Sequence, residues 1–536
     1  KLHTAVRRLT QRDGGGVLLP TDACTKLGRP VAEVLEGKHP DLRVPDLGNE
    51  ESIAFKQYPS CPDPIPIDCC TESVEKLTTK LRGGAGPRSV DTSLFKHCLM
   101  RNGKASEELK EELVEWCLWM ANDSTIPFAA IRAMLAKRLV ALDKQPGTRP
   151  LGIGESWIRG VSKLVLMDCG GDAKEACGSM NLCAGLEAGI EGALHAVRKR
   201  LATSGDFEFE DWEVDDSIWR RDAPDGEIPP WEEAPLTQED AGAAESDEAV
   251  LEATAMADDD AEVDTVEAEA AAETGEADEV EEDPEILMLV DAENGFNNLS
   301  RYSMLWEVQF RWARAARFVM NLYKHQLMLF MRNEAGTPAT IILSKEGCTQ
   351  GCVLAGKVYG VTLMPLCEHL RDVIPEVTSP FYADDCALAG KSKPAAKATE
   401  VAKERGPDVG YFPEPEKSIC VSTKANEAKA KAAFEARGLH VRYSRGHKYV
   451  GGFIGSAKML DRWIEPKVSA WVRAIESLAM IAKRYPHSAY VGMTTVLQAE
   501  WQYIMRCVPD IGPKLVPVED ALRNLFIPAV LDADTS

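Results

Sequence analysis

Two stretches decide the fold: Ile286-Leu-Met-Leu-Val290 running into Asp291, and FYADDCALAG at 381–390. The first is an unbroken apolar run, the pattern of a strand buried on both faces. An aspartate at the end of such a strand is costly unless a cation meets it. The second places Asp384 and Asp385 where the apolar FYA run turns back into CALAG, so a hairpin tip can aim at least one carboxylate at the same point. Between them lies EGCTQGC at 346–352, which reads as a loop. Strand-end carboxylates gathered in this way can hold two divalent cations for in-line attack on a phosphate. Hard oxygen donors with no histidine close in sequence favour Mg²⁺ or Mn²⁺ over Zn²⁺.

Working outward, helical patterns dominate from Thr92 to Asp143, with Leu109, Leu113, Trp116 and Met120 on one face and a second helix over Ala129 to Leu142. Pro146, Gly147 and Pro150 predict a turn before LGIGESWIRGVSKLVL. Leu186 to Leu201 follows as a helix with Arg198, Lys199 and Arg200 near its end. That cluster is either a complement to the helix dipole or a phosphate contact. A long helical region is expected over Ser303 to Met331, another over Ala395 to Glu404, then a loop into a strand through FPEPEKSICVS. YVGGFIG at 449–455 predicts a glycine-kinked strand pair. The tail from Asp461 is helical, with Val468, Trp471, Val472, Ile475 and Leu478 as its apolar stripe.

The chain of 536 residues has room for several domains and a large core. It begins at Lys1 and not Met, as an excerpt of a longer reading frame does. Its net charge of −24 is local. Residues 206–285 hold 33 Asp and Glu against only Arg220 and Arg221, which leaves 52 acidic and 59 basic residues elsewhere, a body at +7. Such a body is compatible with binding phosphates, and the Ala/Glu/Asp stretch is expected to be disordered. The 15 cysteines are scattered, several inside apolar runs (Cys117, Cys367, Cys386), which suits a reducing compartment. No apolar run is long enough for a membrane span and no signal peptide is visible.

The motifs occur in a telling order. RPLGIGE at 149–155, LVDAENGFN around Asp291, EGCTQG with Gln350 and Gly351, YADD at 382–385, Lys417 in PEKS and YVGGFIG resemble, in sequence order, the fingers and palm motifs of reverse transcriptases. The wording looks most like the non-LTR retrotransposon branch. The resemblance runs from about residue 80 to the end, apart from the acidic stretch. It implies an α+β right-hand polymerase with helical fingers, an α/β palm built on an antiparallel sheet, and a helical thumb. The expected division is an N-terminal extension over 1–80, loosely packed; fingers and the first part of the palm over 81–205; the disordered acidic insertion over 206–285; the palm over 286–455; and a thumb-like region over 456–536.

The resemblance further implies RNA-directed DNA synthesis from an RNA template, a DNA primer and dNTPs, with two Mg²⁺ (or Mn²⁺) ions held by Asp291 and Asp384 and with Asp385 as auxiliary carboxylate. Arg149 would reach the incoming triphosphate. Phe296 would lie beneath the sugar and leave no room for a 2′-hydroxyl. Gln350 and Gly351 would form the platform under the nascent base pair, and Lys417 would stabilise or protonate the departing pyrophosphate. Tyr449, Gly451 and Gly452 would position the primer end. An intracellular protein is expected, in the nucleus if it serves such an element, and no membrane is involved. Two departures stand out: Cys352-Val353 where the family has a proline, and Glu293 and Gly295 beside the first aspartate. They keep open the alternative of a degenerate or domesticated palm that binds nucleic acid without catalysis. An RNA-dependent RNA polymerase would instead carry a polar residue at 296.

Overall fold

The computed structural model describes residues 17–144, 147–184, 188–202, 283–333 and 339–531. The expected disordered insertion therefore lies outside the described residues, apart from 283–285. In chain order the strands are β1 (Val17–Leu18), β2 (Lys137–Asp143), β3 (Thr148–Ile153), β4 (Glu285–Val290), β5 (Leu327–Met331), β6 (Thr340–Ser344), β7 (Phe381–Tyr382), β8 (Asp385–Lys391), β9 (Ile419–Val421), β10 (Arg442–Ser444), β11 (Gly446–Tyr449) and β12 (Gly452–Gly455). Helices surround them, so the architecture is mixed α/β with small sheets.

The unbroken apolar run forms β4, every residue of which is buried. Its side chains alternate between two cores, as a strand's period of two requires. Ile286, Met288 and Val290 enter the main core with Trp312, Phe318 and Phe381. Leu287 and Leu289 enter a second core with Leu194 and Val197 of the helix Gly189–Ala202 and with Trp471 and Ile475 of the helix Ala457–Ala482. Each such side chain contributes about 1.5–3 kcal/mol by leaving water. β4 is thus the centre of the sheet β10-β9-β4-β8-β7. That sheet is mixed and not purely antiparallel. β10 runs parallel to β9, as the intervening helix Lys424–Glu435 returns the chain to the same end.

A second sheet, β1-β2-β5-β6 with β3 also paired to β2, corrects three expectations. The helix expected over Ala129 to Leu142 stops at Leu135. Ala136 turns extended and Lys137 to Ala141 then alternate buried and half-buried as β2. The region Ser303 to Met331 is two helices, Arg301–Arg311 and Ala313–Tyr323, followed by β5. Trp312 breaks the helix, its ring fully buried and its indole N–H donating to the Cys169 carbonyl at 2.7 Å. The N-terminal segment, expected to be loosely packed, is integrated from residue 17 on. β1 pairs with β2, the helix Val31–Gly37 buries Val31 and Leu35 against Leu139 and Leu329, and Ile67, Val74 and Leu77 join the main core.

Leu35→Ala should therefore lower the unfolding free energy by about 2–4 kcal/mol, as cavity-forming core truncations do. Urea denaturation checks this, and an unchanged midpoint would mean that the segment is a mere tether.

Candidate functional site

β4 pairs antiparallel with β8 in the register Val290↔Cys386, so the strand end at Asp291 lies beside the start of β8. β7 and β8 close through Tyr382↔Asp385, which leaves Ala383 and Asp384 as the two turn residues. Ala383 takes φ +53°, the positive value that tight hairpins require at such a position. Asp384 is thereby lifted to the tip, half-buried, and Asp385 next to it is exposed. Asp291 is anchored through its backbone: its N–H donates to Ser418 Oγ at 3.0 Å and its carbonyl accepts from the Glu414 N–H at 2.8 Å.

The Asp291 carboxyl is held above the usual carboxylate range. Asp291 as a whole residue is exposed, yet desolvation of its carboxyl by the packed strand end is the main cause and the Glu414 charge the next; Asp384 adds to the rise, while Lys417 and Lys144 oppose it. Asp291 and Asp384 thus share one electrostatic neighbourhood. Asp385 acts instead on buried tyrosines, including Tyr449. Glu414 is a carboxylate that the sequence reasoning missed; its only signal was the acidic wording of PEPEKS.

Gly295 explains one of the departures. A Cβ there would lie 2.8 Å from Asp384 Cβ and 2.8 Å from the Tyr359 hydroxyl. Only glycine lets the turn after Asp291 approach the hairpin tip this closely. Gly295→Ala should displace Asp384 and, on the polymerase reading given below, reduce turnover by roughly tenfold or more while the fold persists. Steady-state rates beside circular dichroism test this, and full activity would contradict the close approach.

The glutamine loop stacks on β3. The Gly152 N–H donates to the Gln350 carbonyl at 2.9 Å, and Gly351, at φ +90°, comes so near that a Cβ would sit 2.9 Å from the Gly152 carbonyl oxygen. The loop is also tied to the turn after Asp291, for the Cys348 N–H donates to the Phe296 carbonyl at 2.8 Å. Phe296 itself is half-buried, its ring 4.8 Å from the buried ring of Tyr359. In place of proline chemistry, backbone turns close the loop: Cys352 N–H to the Thr349 carbonyl and Ala355 N–H to the Cys352 carbonyl, each at 3.0 Å.

Buried Arg301 holds the stem of this loop. Its guanidinium donates to the carbonyls of Ser344, Glu346 and Gly347 at 3.2, 2.9 and 3.0 Å, and its own N–H donates to Glu346 Oε1 at 2.5 Å. Nothing in the local sequence pattern marked this arginine.

Arg149 lies on β3 opposite Leu142, three residues before Gly152, where the strand meets the glutamine loop. Lys417 is exposed and forms an ion pair with Glu414, on the Asp291 side. Tyr449, Gly451 and Gly452 lie in the β11–β12 hairpin and its turn. There Gly451 takes φ +78° against the Tyr503 ring, and a Cβ on Gly452 would meet Leu194 at 2.3 Å. The Tyr449 ring is buried in the second core. The basic cluster at 198–200 is largely structural: Arg198 donates to the Phe453 carbonyl and Arg200 pairs with buried Glu285 at 2.8 Å.

Among the described residues, no three of His, Cys, Asp and Glu gather closely enough to hold a metal ion by themselves. The Asp291 and Asp384 carboxylates nevertheless suit Mg²⁺, which commonly takes one or two carboxylates and completes its octahedron with waters and substrate phosphates.

No family model matches the chain. No curated protein matches it by sequence. Among solved structures it is similar to apo telomerase from Candida tropicalis truncated from the C-terminal domain, at 11% identity and a TM-score of 0.29, covering 60% of this chain and 54% of that one. It is also similar to apo telomerase from Candida tropicalis, at 9% identity and a TM-score of 0.31, covering 76% and 64%. The chain thus spans 54% and 64% of the length of these two structures. No helix among the described residues is long and apolar enough to cross a membrane.

Proposed function

We propose that this chain is an RNA-directed DNA polymerase that copies an RNA template by nucleotidyl transfer on a right-hand scaffold. The observation that carries the reading is the placement of Asp291 and Asp384 at neighbouring ends of paired strands, with the glutamine loop stacked on the strand that bears Arg149. Fingers would come from the β2–β3 hairpin and the helices around it, the palm from the β4–β8 sheet, and the thumb from the helices after β12. The order and wording of the motifs support a non-LTR retrotransposon as the source.

In this reading Asp291 and Asp384 hold the ions, with Asp385 auxiliary at the same tip. When bound, two Mg²⁺ would activate the primer 3′-hydroxyl and neutralise charge on the departing pyrophosphate. The hydroxyl loses its proton to solvent water, its oxygen bonds to the α-phosphorus, and the bond from that phosphorus to the bridging oxygen breaks to release pyrophosphate. No side-chain nucleophile takes part, and the work of the protein is positioning and charge stabilisation. Arg149 binds the triphosphate, Phe296 lies under the sugar, and Gln350-Gly351 back the nascent base pair. Lys417, which pairs with Glu414, meets the leaving pyrophosphate, and the β11–β12 hairpin steers the primer end.

Primer extension on an RNA template with Mg²⁺ tests this, with dNTPs against rNTPs and wild type against Asp384→Asn. DNA product from wild type alone is expected. Soluble protein that binds the duplex and extends nothing would favour the non-catalytic palm.

A further inference from the structure

The integrated N-terminal segment runs beside the residues of this site. At its near end the Lys38 Nζ donates to the Thr148 carbonyl, at the base of the β2–β3 turn. The Lys38 carbonyl accepts from Asn294 Nδ2 at 2.7 Å, three residues past Asp291. Farther along, the Arg43 N–H donates to Glu346 Oε2 at 2.7 Å, its guanidinium donates to the Asn298 carbonyl, and that guanidinium lies 4.6 Å from the centre of the Phe412 ring. The strap over 38–43 therefore touches the hairpin, the turn after Asp291, the stem of the glutamine loop and the loop before Glu414.

Cations converge where the strap meets the hairpin. Gly147 in the β2–β3 turn donates its N–H to Thr25 Oγ1 at 3.0 Å, and Lys26 Cβ is 4.0 Å from where a Gly147 Cβ would lie. Lys26 and Lys38 from the segment thus flank Lys144 and Arg149 of the hairpin. Burial, then the charges of Lys144, Arg149 and Lys26, push the Lys38 ammonium down to about 8, the Cys24 thiol partly opposing. Like charges crowded in this way are relieved by an anion that several of them share. Lys144 also acts on Asp291, so the cluster borders the carboxylate site.

We propose that Lys38 is a further triphosphate-binding residue, and that the polyphosphate tail of the incoming nucleotide lies between the N-terminal strap and the start of β3 at Thr148 and Arg149. This rests on the polymerase reading above. The Thr148 carbonyl accepts one hydrogen bond from the ammonium and so orients it. The remaining protons can reach phosphate oxygens beside those served by Arg149, and charge-assisted bonds of this kind are the strong ones. The Asn294 contact on the Lys38 carbonyl sets the distance of that ammonium from the Asp291 turn.

The test uses the full chain and compares wild type, Lys38→Met and Lys38→Arg. In primer extension, Lys38→Met should raise the KM for dNTP about tenfold, with kcat and the Kd for primer–template near wild type, and Lys38→Arg should recover most of the loss. An unchanged KM in a variant of lowered thermal midpoint would make Lys38 a structural brace and overturn the proposal. A raised Kd for primer–template at constant KM would assign the contact to a nucleic-acid backbone and overturn it equally. Calorimetric titration with inorganic triphosphate separates the two readings. Binding by wild type, weakened about tenfold in Lys38→Met, supports the polyphosphate site even if extension fails and the polymerase reading with it. No binding by wild type would overturn the site.

Discussion

Asp291→Asn should abolish nucleotide incorporation, by about 10³-fold or more, and at the same time make the protein more stable at neutral pH. The loss of activity follows from removing the strand-end carboxylate that faces Asp384 beside the hairpin tip. The gain follows from the proton affinity of Asp291. Desolvation of the carboxyl and the Glu414 charge raise its folded-state pKa, so the native state binds this proton more tightly than the unfolded chain does, by a modest margin because the exposed residue is screened by solvent. Its contribution to stability is full below the unfolded value and is lost as pH rises through the folded one. Asparagine carries no such charge. Urea denaturation should therefore show the variant ahead of wild type at neutral pH, with the gap closing in acid. Mg²⁺ should stabilise wild type and not the variant, because a ligand of the native state alone shifts the unfolding equilibrium. A variant less stable than wild type at neutral pH would contradict this account of the site.

Phe296→Ala should relax the choice of sugar. The ring is half-buried, braced at 4.8 Å by Tyr359, and its backbone carbonyl is fixed by the Cys348 N–H. On the polymerase reading, a ring braced in this way leaves no room for a 2′-hydroxyl. Truncation opens that space, and the preference for dNTP over rNTP, as a ratio of kcat/KM, should fall on the order of 10²-fold. Use of dNTP should fall less, since the Asp291–Asp384 pair is untouched. The ratio measured on one RNA template decides the matter. An unchanged ratio would return Phe296 to the role of a packing residue.

Much of this site was legible because its signals are local. The unbroken run to Val290, the turn inside FYADDCALAG and the glycines of the loop and of YVGGFIG each carry their own instruction for the backbone. What failed was decided by distant partners. Ile131, Leu135 and Leu139 keep a helical spacing straight through the point where the helix ends. Residues 137–139 become strand because 329–331 pair with them in parallel, a partnership no local window contains. The same holds for Leu327 to Met331, whose alternation was hidden behind two helices. Lys38, Arg43 and Arg301 are ordinary basic residues in sequence, and they gain meaning only from the carbonyls and carboxylates that the fold brings to them. Glycine at 295 looked like a departure and is a steric necessity beside Asp384.

The most direct test of the central claim is addition of a single nucleotide in a rapid-quench experiment, with purified protein on an RNA template annealed to a DNA primer. The account predicts that the complementary dNTP extends the primer by one residue, that the addition depends on Mg²⁺, and that Asp384→Asn abolishes it. No addition by wild-type protein that binds the same duplex with Mg²⁺ and dNTP present would contradict it.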